Sequence, residues 1–127
     1  MKIRRTAVLA ALVAALSAPA FADGDVDKGK KVFNKCKACH AVGEGAKNKV
    51  GPQLNGIIGA EIASVEGYRY SKAFLARKEE GLVWNDAELD AYLLKPKDHT
   101  PGTKMSFVGL RKAEDRVNVI AYLKTYE

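Results

Sequence analysis

Two cysteines followed at once by a histidine form the feature that most limits how this chain can fold. Cys36 and Cys39 lie three positions apart, and His40 completes the pattern Cys-x-x-Cys-His. This pattern is typical of covalent haem attachment, in which each thiol forms a thioether with a vinyl group of the porphyrin. The spacing places both sulfurs along one edge of the macrocycle, and the histidine then turns a ring nitrogen under the iron. A chain of this kind builds much of its core around the cofactor.

The first 22 residues have the pattern of a secretory signal peptide. Three cations precede an apolar run over residues 7–16, and Ala20-Phe21-Ala22 fits an A-x-A cleavage site. A membrane anchor is the alternative, but a run of ~10 apolar residues is short against the ~20 that span a bilayer. We predict cleavage after Ala22, export to the periplasm and no membrane span in the mature chain.

Removal of the leader leaves residues 23–127 as one small domain. The full chain has 21 Lys and Arg against 15 Asp and Glu, a formal charge of +6. The leader holds three of the cations and no acid, so the mature chain has 18 cations, the same 15 acids and a charge of +3. Since no dense basic run accompanies this modest charge, nucleic-acid binding is not indicated. A domain of this size buries a limited core and often needs a cofactor to hold it together.

The cysteine pair leaves two other interpretations open. In an exported protein it can form a disulfide or a thiol-exchange pair, although the βαβ pattern that accompanies a thioredoxin-like motif is absent from the sequence. A zinc site needs four well-placed ligands. After the leader, the soft ligands are Cys36, Cys39, His40 and His99, of which Cys39 and His40 are poorly placed to share one tetrahedron. The motif therefore favours haem.

Helical patterns joined by loops rich in glycine and proline predict an all-α fold. We expect helices over residues 25–37, 71–80, 85–95 and 113–126, with Asn85 and Glu88 resembling a capping box at the start of the third. Residues 41–63 read as a long loop, which would wrap a flat cofactor. Gly29 is costly inside a helix unless another helix approaches it closely.

Counting the methionines points to a second iron ligand. The sequence contains two methionines, and Met1 leaves with the leader, so Met105 is the one thioether that remains. Met105 follows the stiff turn Pro101-Gly102, although a single methionine is more often a gap filler in a core. His99 is the competing ligand, but its charged neighbours place it on the surface. Ligation by His40 and Met105 raises the haem potential and fills both axial positions, which favours electron transfer over catalysis.

Several segments of the sequence occur in the order found in one known family. They are Cys36-x-x-Cys39-His40, Gly51-Pro52-x-Leu54-x-Gly56, Tyr70, Trp84, Tyr92-Leu93, Pro101-Gly102-Thr103-Lys104-Met105 and Ala121-Tyr122-Leu123. In combination they resemble class I cytochromes c, in particular mitochondrial cytochrome c and its small bacterial relatives. The resemblance covers residues 25–125. It implies a small single-domain all-α fold wrapped around one covalent, iron-containing haem c.

The resemblance also implies roles for the matching residues. Cys36 and Cys39 would carry the thioethers, and the Pro52 carbonyl would accept the second ring proton of His40, the proximal iron ligand. Met105 would be the distal ligand. Tyr92 would pack near its sulfur. The residues that hydrogen-bond the haem propionates would be Tyr70, Trp84 and Thr103. The first and last helices would cross at Gly29, Phe33 and Tyr122.

The implied function is that of a soluble, monomeric electron carrier and not of an enzyme. It would accept single electrons from a quinol–cytochrome c oxidoreductase and pass them to an oxidase or a photosynthetic reaction centre. Phe107 would lie at the exposed haem edge, surrounded by the lysines at positions 35, 37, 49, 97 and 104. The alternative is a haem enzyme or ligand sensor with a labile Met105. The sequence departs from the mitochondrial pattern at Ala60, where arginine is usual, and by about three extra residues between Tyr70 and Trp84.

Overall fold

The computed structural model describes residues 23–127, and the leader predicted for residues 1–22 lies outside them. The described residues contain five helices, which are α1 (Val26–Phe33), α2 (Lys72–Glu79), α3 (Asp86–Leu94), α4 (Pro96–His99) and α5 (Ala113–Lys124). Their one β interaction is an isolated antiparallel bridge between Glu61 and Val83. The predicted all-α fold class is therefore confirmed. Among these helices, none combines the length and the apolar character that a membrane span needs.

The boundaries of α2 and α3 follow local sequence signals. Ser71 and Asn85 cap the two helices by accepting hydrogen bonds from main-chain N–H groups in the first turn. Gly81, with φ of 73°, takes the left-handed conformation that closes α2. Pro96 ends α3 because it has no N–H to donate, and it begins the one-turn helix α4, which we did not predict.

The first helix is shorter than predicted. α1 ends at Phe33 and not at residue 37, and residues 34–39 form successive turns. The N–H groups of Lys35 and Cys36 bond to the carbonyls of Val32 and Phe33, three positions back, which is the tighter 3₁₀ pattern. The tighter turns bring the Cys-x-x-Cys-His motif against the interior. The spacing of apolar residues in α1 does not predict them.

The first and last helices cross at Gly29. A Cβ atom at this position would overlap the main-chain carbonyl of Asn118 and come within 2.8 Å of the Tyr122 Cβ. Beside the crossing, the rings of Phe33 and Tyr122 lie 5.4 Å apart, centre to centre. The close approach predicted from Gly29 is confirmed. Val26, one turn before Gly29 on the same helix, is 42% exposed.

The segment over residues 41–63 is irregular, as its composition predicts. Four of its glycines have positive φ angles, at positions 43, 45, 56 and 59. These angles are accessible to glycine and strained for most other residues. The segment reaches the residues that follow α5, where the Gly56 N–H donates to the Tyr126 carbonyl. The loop therefore closes around the interior of the domain.

Candidate functional site

A cavity of about 510 Å³ lies between the helices and the long loops. Its volume falls within the ~300–1,000 Å³ of typical ligand and cofactor sites. The wall is predominantly apolar, with contributions from α1, α2, α3, α5 and the loops between them. Its aromatic members are Phe33, Tyr68, Tyr70, Phe74, Trp84, Tyr92 and Phe107.

The four groups expected to hold a haem all line this cavity. They are the thiols of Cys36 and Cys39, the imidazole of His40 and the thioether of Met105. The sequence separates Met105 from the motif by more than 60 residues, so the fold itself brings these side chains to one place. Every site residue predicted from the sequence, including Pro52, Tyr70, Trp84, Tyr92 and Thr103, belongs to the same wall.

The environment of Cys36 argues against thiol exchange. Neither Cys36 nor Cys39 is in a disulfide. Burial raises the pKa of the Cys36 thiol to about 11, although the charge of neighbouring Lys35 opposes the rise. Because the thiolate is the reactive species, a thiol with this pKa is a poor exchange nucleophile near neutral pH. Residues 23–127 contain no cluster of three His, Cys, Asp or Glu side chains suited to a metal ion.

One hydrogen bond fixes the His40 ring. Its Nδ1 lies 2.7 Å from the Pro52 carbonyl, which can only accept, so Nδ1 carries the proton and Nε2 keeps its lone pair. Burial lowers the pKa of His40, against the opposing effect of this hydrogen bond, and so favours the neutral ring that binds metals. The adjacent Gly51 is required here, because a Cβ atom would collide with the imidazole.

The segment that presents Met105 is anchored on α3. The Tyr92 hydroxyl lies 2.8 Å from the Thr103 Oγ1, which also accepts a 3.3 Å hydrogen bond from the Met105 N–H. The Thr103 N–H in turn donates to the Thr100 carbonyl at 3.0 Å and closes the turn. The main chain beside the Met105 sulfur is thus fixed by a side chain of the cavity wall.

Two further aromatic residues of the cavity wall carry polar groups. The Tyr70 hydroxyl accepts a 2.9 Å hydrogen bond from the Val65 N–H and keeps its own proton to donate. Burial raises the pKa of Tyr70, which keeps this donor protonated. The Trp84 ring, buried between Phe74 and Tyr92, adds an indole N–H. Both groups are suited to bind a carboxylate.

Comparison with known proteins places this geometry in a family. The cytochrome c family model matches residues 26–127. This chain belongs to the cytochrome c family. It is 52% identical over 102 residues to cytochrome c2 of Afifella marina, covering 80% of this chain and 82% of that protein. It is 54% identical over 101 residues to cytochrome c2 of Agrobacterium tumefaciens, covering 80% and 91%. The solved structure of cytochrome c2 from Rhodospirillum centenum matches with a TM-score of 0.77 and 38% identity, covering 81% of this chain and 98% of that one.

Membership of the cytochrome c family confirms the predicted cofactor and the class of function. The cofactor is one covalently bound haem c, and the role is electron transfer. The cavity fits such a group on its own chemistry. It offers two thiols for attachment, an imidazole with a free lone pair, a thioether, and a wall that is mostly apolar. A macrocycle with an apolar face and two carboxylates matches this set of side chains.

The sequence-based placement of His99 on the surface of this cytochrome is wrong. The side chain is 11% exposed, its Nε2 lies 2.5 Å from a Glu88 carboxylate oxygen, and its Nδ1 lies 2.7 Å from the Thr100 Oγ1. The one-turn helix α4 turns the ring inwards, which its charged neighbours in sequence did not reveal. Because both ring nitrogens have partners and the ring is not part of the cavity wall, His99 is not supported as an iron ligand.

The opening of the cavity is apolar and flanked by cations. Val50 and Val108 line the cavity and are 75% and 87% exposed. All five lysines predicted around the haem edge are exposed, and Lys35 and Lys104 line the cavity itself. The Lys104 ammonium donates to the Arg69 carbonyl at 2.9 Å. The opening therefore combines apolar contact area with positive charge.

Sequence analysis missed Tyr68 as a polar member of the wall. The Tyr68 hydroxyl donates a 2.7 Å hydrogen bond to the Val50 carbonyl, which ties two loops together at the cavity opening. The rings of Tyr68 and Tyr70 meet edge to face, with centroids 4.8 Å apart. The sequence did contain a signal for Tyr68, namely a second tyrosine two positions from Tyr70 in an extended segment.

Proposed function

We propose that the chain is a soluble, monomeric periplasmic carrier that shuttles single electrons through a haem ligated by His40 and Met105. The main support is that both side chains line one cavity together with the two thiols of the attachment motif. The bound haem supplies the one-electron couple of its iron. His40 and Met105 would hold the iron between them and leave it no position for a substrate, and for this reason the proposal excludes an enzyme.

The other residues of the wall hold this arrangement in place. The Pro52 carbonyl orients the His40 ring and sets its tautomer. Tyr92 and Thr103 fix the main chain at Met105. The donors of Tyr70 and Trp84, with the Thr103 hydroxyl, would bind the propionates. A site fixed in this way changes little when an electron arrives, and little rearrangement means a small barrier.

The partners would be membrane redox complexes. We assign a quinol–cytochrome c oxidoreductase as donor and an oxidase or photosynthetic reaction centre as acceptor. Support comes from the cavity opening, where exposed Val50 and Val108 are flanked by Lys35 and Lys104. Complementary charge accelerates encounter more than it tightens binding, which suits a carrier that must dock and leave quickly.

Processing and location complete the proposal. The leader over residues 1–22 would direct export, with cleavage after Ala22 and haem attachment afterwards. The intact mass of purified protein tests this directly. It should equal residues 23–127 plus one haem. A mass that includes the leader would instead favour the membrane anchor.

Replacement of Met105 tests the iron ligation. Met105→Ala should abolish the thioether–iron(III) absorption band of the oxidised holoprotein and open the iron to external ligands. Leu75→Ala is the control, since it truncates an apolar side chain that is half exposed and outside the cavity wall. An unchanged spectrum in Met105→Ala would show that another group holds the iron. Rapid carbon monoxide binding by the reduced wild type would instead favour the ligand sensor.

A further inference from the structure

The carboxylate of Glu88 has an unexpected partner. Glu88 occupies the position that completes a capping box at the start of α3, and its N–H does donate to the Asn85 side chain at 2.8 Å. Its carboxylate, however, is directed to the His99 ring of α4, with a 2.5 Å contact to Nε2. Half of the predicted capping box is thus present, and the acid that would supply the other half holds a histidine.

His99 is held on every polar atom that it offers. Glu88 and Thr100 bind the two ring nitrogens, and the Arg77 guanidinium of α2 donates to the His99 carbonyl at 2.8 Å. The ring therefore has a fixed position beside α3, and the Arg77 side chain connects α4 to α2. Such complete satisfaction is expected of a buried polar group that helps to define a structure.

The fixed ring supports the outer side of the cavity wall. It stacks on Trp84, with centroids 6.2 Å apart and planes inclined by 28°, and meets the Tyr92 ring edge to face at 5.4 Å. Tyr92 then reaches Met105 through the Thr103 hydroxyl, by hydrogen bonds of 2.8 and 3.3 Å. An unbroken series of contacts connects the Glu88 carboxylate to the main chain of the distal ligand.

We propose that His99 is a positioning residue for Met105, fixed by Glu88 and acting through Tyr92 and Thr103. The inference rests on the proposed iron ligation by Met105. When the hydrogen bonds to His99 are lost, the Tyr92 ring loses its support and the Tyr92–Thr103 hydrogen bond weakens. The segment that presents Met105 then opens more often, and the thioether leaves the iron more readily.

The rate at which imidazole displaces the thioether from the oxidised holoprotein tests the inference. We expect Glu88→Ala and His99→Phe to accelerate displacement about tenfold, the factor that corresponds to one lost hydrogen bond of ~1.4 kcal/mol. Glu88→Gln keeps a hydrogen-bonding group for His99 and should restore the wild-type rate. Glu114→Ala is the matched control, because it removes an acid from the first turn of α5, where Glu114 pairs with Lys28 at the surface.

The outcomes distinguish a failure of the proposed Met105 ligation from a failure of the inference about His99. Wild-type protein without a thioether–iron(III) band would refute ligation by Met105 and this inference with it. A wild-type band, with imidazole rates unchanged in Glu88→Ala and His99→Phe, would overturn the inference alone. In a Tyr92→Phe background the Glu88→Ala effect should largely disappear. A full effect there would show that the coupling does not pass through the Tyr92 hydroxyl, and would also overturn it.

Discussion

The Arg116 guanidinium donates a 2.8 Å hydrogen bond to the Asp90 carboxylate and so joins α5 to α3. The same side chain donates to the carbonyls of Leu110 at 2.8 Å and Arg111 at 3.0 Å. Arg116 is 8% exposed, so these acceptors replace the water that a buried cation would lose. The segment that follows Met105 is therefore held against two helices by one residue.

Replacement of Arg116 by methionine should destabilise the protein by about 3 kcal/mol, because it leaves a half-buried carboxylate and two carbonyls without their donor. Denaturant unfolding of the oxidised holoprotein measures the loss. Arg111→Met removes an exposed cation nearby and should cost less than ~0.5 kcal/mol. Equal unfolding midpoints for the two variants would contradict this role of Arg116.

Gly29→Ala should cost about 3 kcal/mol, since the added methyl group would overlap the Asn118 carbonyl and force α1 away from α5. Thermal unfolding of the holoprotein gives the measurement. Lys30→Ala serves as the control, because it changes an exposed residue of the same helix. A Gly29→Ala protein as stable as the wild type would mean that α1 can move away from α5 without loss of stability.

Electron transfer to ferricyanide, an anionic oxidant, should slow as ionic strength rises, because salt screens the attraction between the oxidant and the cations at the cavity opening. Lys35→Gln should reduce this salt dependence, whereas Lys30→Gln, which changes a lysine outside the cavity wall, should leave most of it. Stopped-flow rates at several salt concentrations provide the test. A wild-type rate that does not change with salt would refute the role of the lysines around the haem edge, but would not bear on the haem itself.

Stability should fall at alkaline pH in part through Tyr122. Burial, with the hydrogen-bonded Tyr126 hydroxyl beside it, raises the pKa of Tyr122 to about 12. The unfolded phenol ionises near pH 10, so the contribution is complete below about pH 10 and is lost as the pH rises towards 12. Tyr122→Phe should flatten this part of the stability profile. An identical decline in the variant and the wild type would exclude Tyr122 as a source.

Local signals explain which parts of the fold the sequence predicted. Ser71, Asn85, Gly81 and Pro96 fix the ends of α2 and α3 through caps and missing donors, and these effects act within a few residues. Gly29 revealed a close approach because its cost inside a helix needs a reason. The motif placed the haem, and the family resemblance indicated the residues that the fold brings to its cavity.

The features that the sequence did not reveal depend on contacts between distant segments. The tightened turns after Phe33 follow from packing of the motif against the cavity. His99 lies among charged neighbours in sequence, but the short helix α4 turns it towards Trp84 and Tyr92. The Glu88 carboxylate could complete the capping box with Asn85 or bind His99, and the choice between them depends on the position of α4.

The cavity occupies the space that a hydrophobic core fills in most domains of this size. Phe33 of α1, Leu89 of α3 and Leu123 of α5 all line it, so these helices present apolar side chains to the cofactor as well as to one another. Assembly of the tertiary structure and attachment of the porphyrin are in this respect a single event. A cell that fails to deliver haem should therefore degrade the polypeptide, and should not accumulate a colourless, folded form of it.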